Sequence, residues 1–237
     1  MTMNVLQRRQ QIKEARAELE RRGLSTVDSP ARQLLRKLRL SPAFAVGDTV
    51  KSWDVLATID FIEQRVPKTG AILDIGAFAS EIPVALHRLG YGNLSGVDLN
   101  PQVRASPHAD VIRYVVGDFL QAPFPDGSFD AITAISVIEH GFDGKRLLRE
   151  LARLLRPGGF FIASFDYWPE KIDTAGQKFF DLDWLIFSEQ EARAFVEEAR
   201  LFGLAPAGPL NFAAAEKPIK CVGRSYTFGW LALQKSK

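Results

Sequence analysis

Between residues 71 and 165, short apolar runs alternate with segments whose apolar positions recur every three or four residues. The runs Ala71 to Ile75, Leu94 to Asp98, Val111 to Val116, Phe129 to Ile135 and Phe160 to Phe165 are too short and too uniformly apolar for amphipathic helices, and predict buried strands. Between them the spacing predicts three helices. The first starts at Glu81, is opened by Ser80, and carries Ile82, Val84, Ala85, Leu86 and Leu89 toward the sheet. A short one follows Pro101. The third runs from Lys145 to Leu155, with Leu147, Leu148, Leu151, Leu154 and Leu155 on one wide face, and is halted by Arg156-Pro157-Gly158-Gly159. Strands alternating with helices imply right-handed crossovers and a doubly wound, mostly parallel α/β sheet with helices on both faces.

The flanks follow other patterns. Val50 to Val66 has helical spacing and is ended by Pro67, and Ser188-Glu189-Gln190-Glu191 is a capping box opening a helix to about Phe202. Pro206 to Phe212 and Ser225 to Gln234 are strand-like with no helix between them, which predicts an antiparallel C-terminal hairpin at the sheet edge. Val5 to Leu24 is polar apart from a thin stripe of Leu6, Ile12, Ala15 and Leu19, as expected of an exposed or partner-bound helix. Ala31 to Leu40 reads as a short basic helix. The division that results is a basic helical arm, residues 1–45, and an α/β domain, residues 46–237.

Charge sharpens this division. The chain of 237 residues has a formal net charge of +2, yet residues 1–40 hold ten Lys or Arg against four acids, so the remainder is net acidic. Such an arm is expected to dock a partner subunit or an anionic membrane surface. An acidic domain with so short a basic segment argues against nucleic acid as a partner. No apolar run reaches membrane-spanning length and MTMNVLQRRQQ lacks a secretory core, so a cytoplasmic protein is expected. One cysteine, Cys221, and three scattered histidines give neither a disulfide nor a metal-ligand cluster.

The chemistry concentrates in residues 71–100. An open α/β sheet binds ligands beyond the carboxyl ends of its strands, where Asp74-Ile75-Gly76 makes a tight turn and Asp98 stands at the tip of the next strand. An acid there can accept hydrogen bonds from both hydroxyls of an unphosphorylated ribose. A dinucleotide would need a G-x-G-x-x-G turn for its pyrophosphate; here Gly76 is followed by Ala77, Phe78, Ala79, Ser80 and Glu81. A carboxylate in the first helical turn suits a cation better, and S-adenosylmethionine carries a sulfonium and an ammonium.

From about Trp53 to Leu233 the order and spacing of short motifs resemble class I S-adenosylmethionine-dependent methyltransferases. Asp74-Ile75-Gly76 is similar to the family's first motif, Gly96-Val97-Asp98-Leu99 to its second and Gly117-Asp118-Phe119 to the segment that contacts adenine. Phe129 to Ile132 with Ser136-Val137-Ile138-Glu139-His140 is similar to its fourth strand, and Leu154 to Gly159 to the turn into its fifth. The resemblance implies S-adenosyl-L-methionine as cofactor, held by Asp74, Gly76, Ala77, Phe78, Asp98, Leu99, Asp118, Phe119 and Ser136. The sequence departs from the family at Phe78 and Ser80, where glycine is usual, and the Phe78 ring is expected to cover the ligand.

The acceptor side follows from the strand ends. His140, after the fourth strand, is the candidate general base, since an imidazole titrates near neutrality. Asp166, Tyr167 and Trp168 after the fifth strand, together with Trp184, are the candidate acceptor-binding residues, although Tyr and Trp there can also simply cover the core. The expected activity is methyl transfer to oxygen or nitrogen of a small molecule or saccharide. The alternatives are a noncatalytic binding or scaffold protein that keeps the fold and, disfavoured by the missing phosphate turn, a nicotinamide-dependent oxidoreductase.

Overall fold

The computed structural model describes residues 3–27, 45–141, 143–179 and 181–237. Its centre is a twisted sheet in the order β1-β11-β6-β5-β2-β3-β4, formed by Met3–Val5 (β1), Ala71–Ile75 (β2), Asn93–Asp98 (β3), Arg113–Val116 (β4), Phe129–Ile135 (β5), Leu155–Tyr167 (β6) and Arg224–Lys235 (β11). The pairs β2–β3, β2–β5, β3–β4 and β5–β6 are parallel, as the alternating pattern requires, while β11 runs antiparallel to β6. A separate two-stranded ribbon joins Lys178–Phe179 (β7) to Leu182–Asp183 (β8).

Helices cover both faces. On one face lie Gly144–Leu154 (α4) and Glu189–Leu201 (α5), and on the other Arg9–Arg21 (α1), Ser52–Arg65 (α2) and Ile82–Arg88 (α3). The period of two along β6 sorts its side chains between these faces: Phe161, Ala163, Phe165 and Tyr167 join the α4/α5 core, and Phe160 and Ile162 join the α1/α2/α3 core. The α5 capping box forms as the sequence predicts. Ser188 Oγ accepts from the Glu191 amide at 3.2 Å, and Glu191 accepts from the Ser188 amide at 2.8 Å.

The amino-terminal segment departs from expectation. Met3–Val5 is a strand paired antiparallel to Gly229–Leu231, and Leu6, Leu19 and Leu24 are buried. The thin stripe belongs to a helix packed on α2, not to a projecting arm. Three residues are too few for a readable alternation, and their burial is set by pairing with β11 on one side and a bridge to Leu210 on the other. The basic stretch 31–40 lies outside the described residues.

Three other elements are shifted. The C-terminal hairpin joins Ile219–Cys221 (β10) to the start of β11, whereas Leu204–Pro206 (β9) pairs with Leu233–Lys235 and most of Pro206 to Phe212 is not strand. β11 is therefore an interior strand, its outer side covered in turn by β10, β1 and β9. β6 begins at Leu155, so the Arg-Pro-Gly-Gly turn lies within the strand, where the register with β5 shifts between Phe129 and Ala131. Finally, α3 starts at Ile82. Its first amide donates to Ser80 Oγ at 3.3 Å, one residue later than a cap at Ser80 would place it.

Candidate active site

The carboxyl ends of β2 and β3 form the turn expected to face a cofactor. Gly76 has φ 72°, and a Cβ there would stand 2.4 Å from Val137 Cγ2, so only glycine fits. The Gly76 and Ala77 amides donate to Val97 O at 3.0 and 3.2 Å, locking the turn onto β3. Asp98 accepts from the Phe78 amide at 2.9 Å through Oδ2 and from the Asn100 amide at 2.7 Å through Oδ1. Each oxygen keeps a second lone pair, so the carboxylate can still accept two ribose hydroxyls. Leu99 beside it is exposed.

Asp74 lies deeper. Its Oδ1 accepts from Thr133 Oγ1 at 2.5 Å, while Oδ2 is buried without a hydrogen bond of sound geometry. Burial pushes its carboxyl up to about 7, against the lowering effect of the Thr133 and Ser80 hydroxyls. An orphaned buried oxygen at this turn is what a ligand's ammonium or hydroxyl would satisfy, so the residues fit the cofactor they are expected to hold. Asp118 accepts from the Leu120 amide at 2.8 Å and stands 3.7 Å from the Arg146 guanidinium, with Phe119 half-buried next to it. Glu81 does not face the ligand. Its carboxylate is buried against the Arg16 guanidinium and the Thr26 amide, 2.7 Å away, which corrects its placement beside a bound cation.

Ser136, at the end of β5, has φ 53°, a left-handed conformation that costs a serine about 1–3 kcal/mol. Its amide donates to both Ser164 O and Ser164 Oγ, at 3.0 and 3.2 Å, and its hydroxyl meets the Lys51 ammonium. Lys51 was invisible to sequence reasoning, since one lysine opening a helix carries no signal. In the fold its Nζ also lies 3.8 Å from the Phe228 ring centroid and 4.0 Å from Asp166 Oδ1.

Around that ammonium stand three carboxylates with 4% exposure or less: Asp54, Glu139 and Asp166. Asp54 Oδ2 accepts from Ser164 Oγ at 2.7 Å, and Asp166 Oδ2 from Trp184 Nε1 at 2.8 Å. Asp54 Oδ1, Glu139 Oε2 and Asp166 Oδ1 have no hydrogen-bond partner, at a cost of about 1–3 kcal/mol each. Burial pushes Asp54 up to about 6 and, with the Asp166 charge beside it, Glu139 up to about 8; Asp166 is raised by burial in turn. Lys51 opposes all three shifts.

Of the expected acceptor residues, Asp166 and Trp184 come together, and Tyr167 does not join them. Tyr167 lies on the opposite face of β6 from Asp166, fully buried in the α4/α5 core, with its hydroxyl donating to Phe212 O at 2.8 Å. Adjacent strand residues cannot share a face, so Asp166 and Tyr167 could not both line the site. Trp168 is half-buried under Lys217, whose Nζ lies 4.4 Å from its ring. His140 is half-buried near Phe179, with ring centroids 5.6 Å apart. Burial, then the Lys51 charge, lowers its pKa to about 4, so the imidazole is neutral at physiological pH.

Comparison with known proteins agrees with this geometry. Residues 73–163 match the family model described as a methyltransferase domain. The chain is 35% identical over 98 residues to a sterol 24-C-methyltransferase of Yarrowia lipolytica, covering 38% of this chain and 26% of that protein. It is 30% identical over 122 residues to a ubiquinone biosynthesis O-methyltransferase of Xanthomonas oryzae pv. oryzae, covering 47% and 50%. The chain thus spans between a quarter and a half of the length of these curated relatives. Among solved structures, the geranyl diphosphate C-methyltransferase of Streptomyces coelicolor A3(2) superposes with a TM-score of 0.56 at 17% identity, covering 82% of each chain. At that identity it speaks for the fold alone. The methyltransferase-domain match thus spans β2 to β6, and the candidate site lies at the carboxyl ends of those strands.

Proposed function

We propose that the protein transfers a methyl group from S-adenosylmethionine to an oxygen or nitrogen of a small molecule, a saccharide end included. The observation that carries this reading is Asp98 at the tip of β3, its two oxygens fixed by the Phe78 and Asn100 amides. Asp98 would hold the ribose, Asp74 and the Gly76 turn the methionine side, and Asp118 and Phe119 the adenine. Ala77, Phe78, Leu99 and Ser136 complete that wall. When bound, the cofactor supplies a methyl on a sulfonium, a group already activated for displacement, so positioning is the protein's main task. The neutral His140 imidazole can take the acceptor's proton.

Relatives named for C- and O-methylation do not fix the acceptor atom, and the choice of oxygen or nitrogen rests on the polar acceptor side around Asp166 and Trp184. No described helix is long and apolar enough to cross a membrane, and we place the protein in the cytoplasm. The basic residues of 31–40 are proposed to contact a subunit or an anionic membrane surface, which liposome pelleting and oligomer mass would read after Arg32, Arg36, Lys37 and Arg39 are changed to Gln. The deciding experiment for the function is calorimetry with S-adenosylhomocysteine. Micromolar binding supports the reading, and no binding at millimolar ligand leaves a scaffold that keeps only the fold.

A further inference from the structure

Beside Ser136, three buried carboxylates share a single lysine. Asp54, Glu139 and Asp166 are all buried, Lys51 is their common cation, and Asp54 Oδ1, Glu139 Oε2 and Asp166 Oδ1 accept no hydrogen bond of good geometry, Asp166 Oδ1 facing the Lys51 ammonium at 4.0 Å instead. The remaining walls are aromatic: Trp184 and Tyr226 pack with ring centroids 5.7 Å apart, and Tyr226 and Phe228 6.2 Å apart. No group of three or more His, Cys, Asp or Glu among the described residues is arranged to hold a metal ion. Carboxylates combined with aromatic faces are the chemistry that recognises an organic ammonium. The protein supplies its own stand-in, since the Lys51 ammonium sits over Phe228 with its centroid 3.8 Å away.

We propose that Asp54, Glu139, Asp166, Trp184, Tyr226 and Phe228 form an alkylammonium site, and that the methyl acceptor is an amine whose nitrogen takes the position Lys51 now holds. The ammonium site stands on the geometry alone; its use for methylation rests on the methyltransferase reading above. A hydroxyl could also donate to these oxygens, but it brings no charge to replace that of the Lys51 ammonium, and an anion would be repelled by the carboxylates.

The site also solves a chemical difficulty, because an ammonium has no lone pair with which to attack. The bound ammonium gives one proton to whichever of Glu139 and Asp166 is ionised, a role that His140 would fill only for a hydroxyl acceptor. The freed nitrogen lone pair then bonds the methyl carbon as the carbon–sulfur pair returns to sulfur. Positive charge passes from sulfur to nitrogen, and nothing is oxidised or reduced. Burial raises both carboxyls, and the Asp166 charge raises Glu139 further, so one of them can keep that proton near neutral pH.

The test uses the full chain and three probes of equal length: butylammonium chloride, 1-butanol and sodium butyrate. In Lys51→Ala, or in Lys51→Met should that variant not fold, butylammonium is expected to raise the melting temperature and to bind at least 10-fold more tightly than the other two probes. Adding Asp166→Asn, which keeps an oxygen for Trp184, is expected to abolish the preference. Equal effects of butanol and butylammonium would overturn the ammonium site. With wild type and labelled cofactor, turnover is expected with primary or secondary amines, and Asp166→Asn should lower it at least 10-fold without weakening S-adenosylhomocysteine. Turnover confined to alcohols, phenols or sugars by a protein that binds S-adenosylhomocysteine would overturn the amine acceptor. Failure to bind S-adenosylhomocysteine would instead overturn the methyltransferase reading, with the butylammonium result still deciding the site.

Discussion

Arg16 and Glu81, 65 positions apart, form a two-pronged ion pair, with Nη1–Oε1 at 2.8 Å and Nη2–Oε2 at 3.0 Å. The guanidinium also donates to Ser52 Oγ at 2.9 Å, and the Thr26 amide donates to Glu81 Oε1 at 2.7 Å. One pair thus ties α1 and the start of α2 to the residue before α3, on the loop that leaves the cofactor turn. Because Glu81 is buried, Glu81→Gln or Arg16→Met should cost about 3–5 kcal/mol by leaving the partner charge buried and unpaired. Urea denaturation checks this; a loss under 1 kcal/mol would mean that the pair is solvated in solution.

Removing residues 1–24 should destabilise the domain, because it strips β1 from β11 and exposes the surface covered by Leu6, Leu19 and Leu24. Burying three leucines contributes about 1.5–3 kcal/mol each. The truncated chain should melt at a lower temperature or fail to fold. A truncation that melts like the full chain would restore the picture of a detachable arm.

Asp98→Ala should weaken S-adenosylhomocysteine by about 30- to 150-fold, equivalent to about 2–3 kcal/mol for a lost charge-assisted pair. Calorimetry reads the loss, and circular dichroism shows whether the turn around Phe78 survives losing its acceptor. Phe78→Gly separates two roles for the ring. Weaker binding is expected if the ring covers the ligand, and clearly tighter binding would show that it obstructs the site.

Stability should fall as pH rises from about 4.5 to 8. Asp54, Asp74 and Glu139 have folded-state pKa values raised to about 6, 7 and 8, above their unfolded values of about 4. Between the two values the folded state holds protons that the unfolded chain releases, so the contribution present below the unfolded pKa is lost as pH climbs through the folded one. The slope is about 1.4 kcal/mol per pH unit for each proton retained. Melting curves across this range should show the fall, and Glu139→Gln should flatten its upper part.

With a hydroxyl acceptor, His140→Ala should lower turnover by about 100-fold with cofactor affinity little changed. With its pKa near 4 in the free protein, His140 should give kcat/KM no inflection near 6.5. An inflection there would place another group, or a more solvated imidazole, in the proton transfer.

The parallel half of the sheet was legible because its strands are apolar on both faces and its helices carry wide stripes, as with Leu147, Leu148, Leu151 and Leu154 of α4. The Gly76 turn and Asp98 were legible for a related reason: a strand end, a tight turn and an acid one strand later are fixed by local order. Local order could not show that Met3–Val5 is a strand, because three residues pair only where β11 offers a free side. Nor could it separate Asp166 from Tyr167, which the pleat sends to opposite faces, or reveal that Glu81 answers Arg16 instead of a ligand. The charge cluster of Lys51, Asp54, Glu139 and Asp166 joins residues more than 100 positions apart, each unremarkable alone. Sequence fixed what depends on period and neighbours, and only the tertiary structure decided which buried charges share a low-dielectric space, since that depends on which elements pack together.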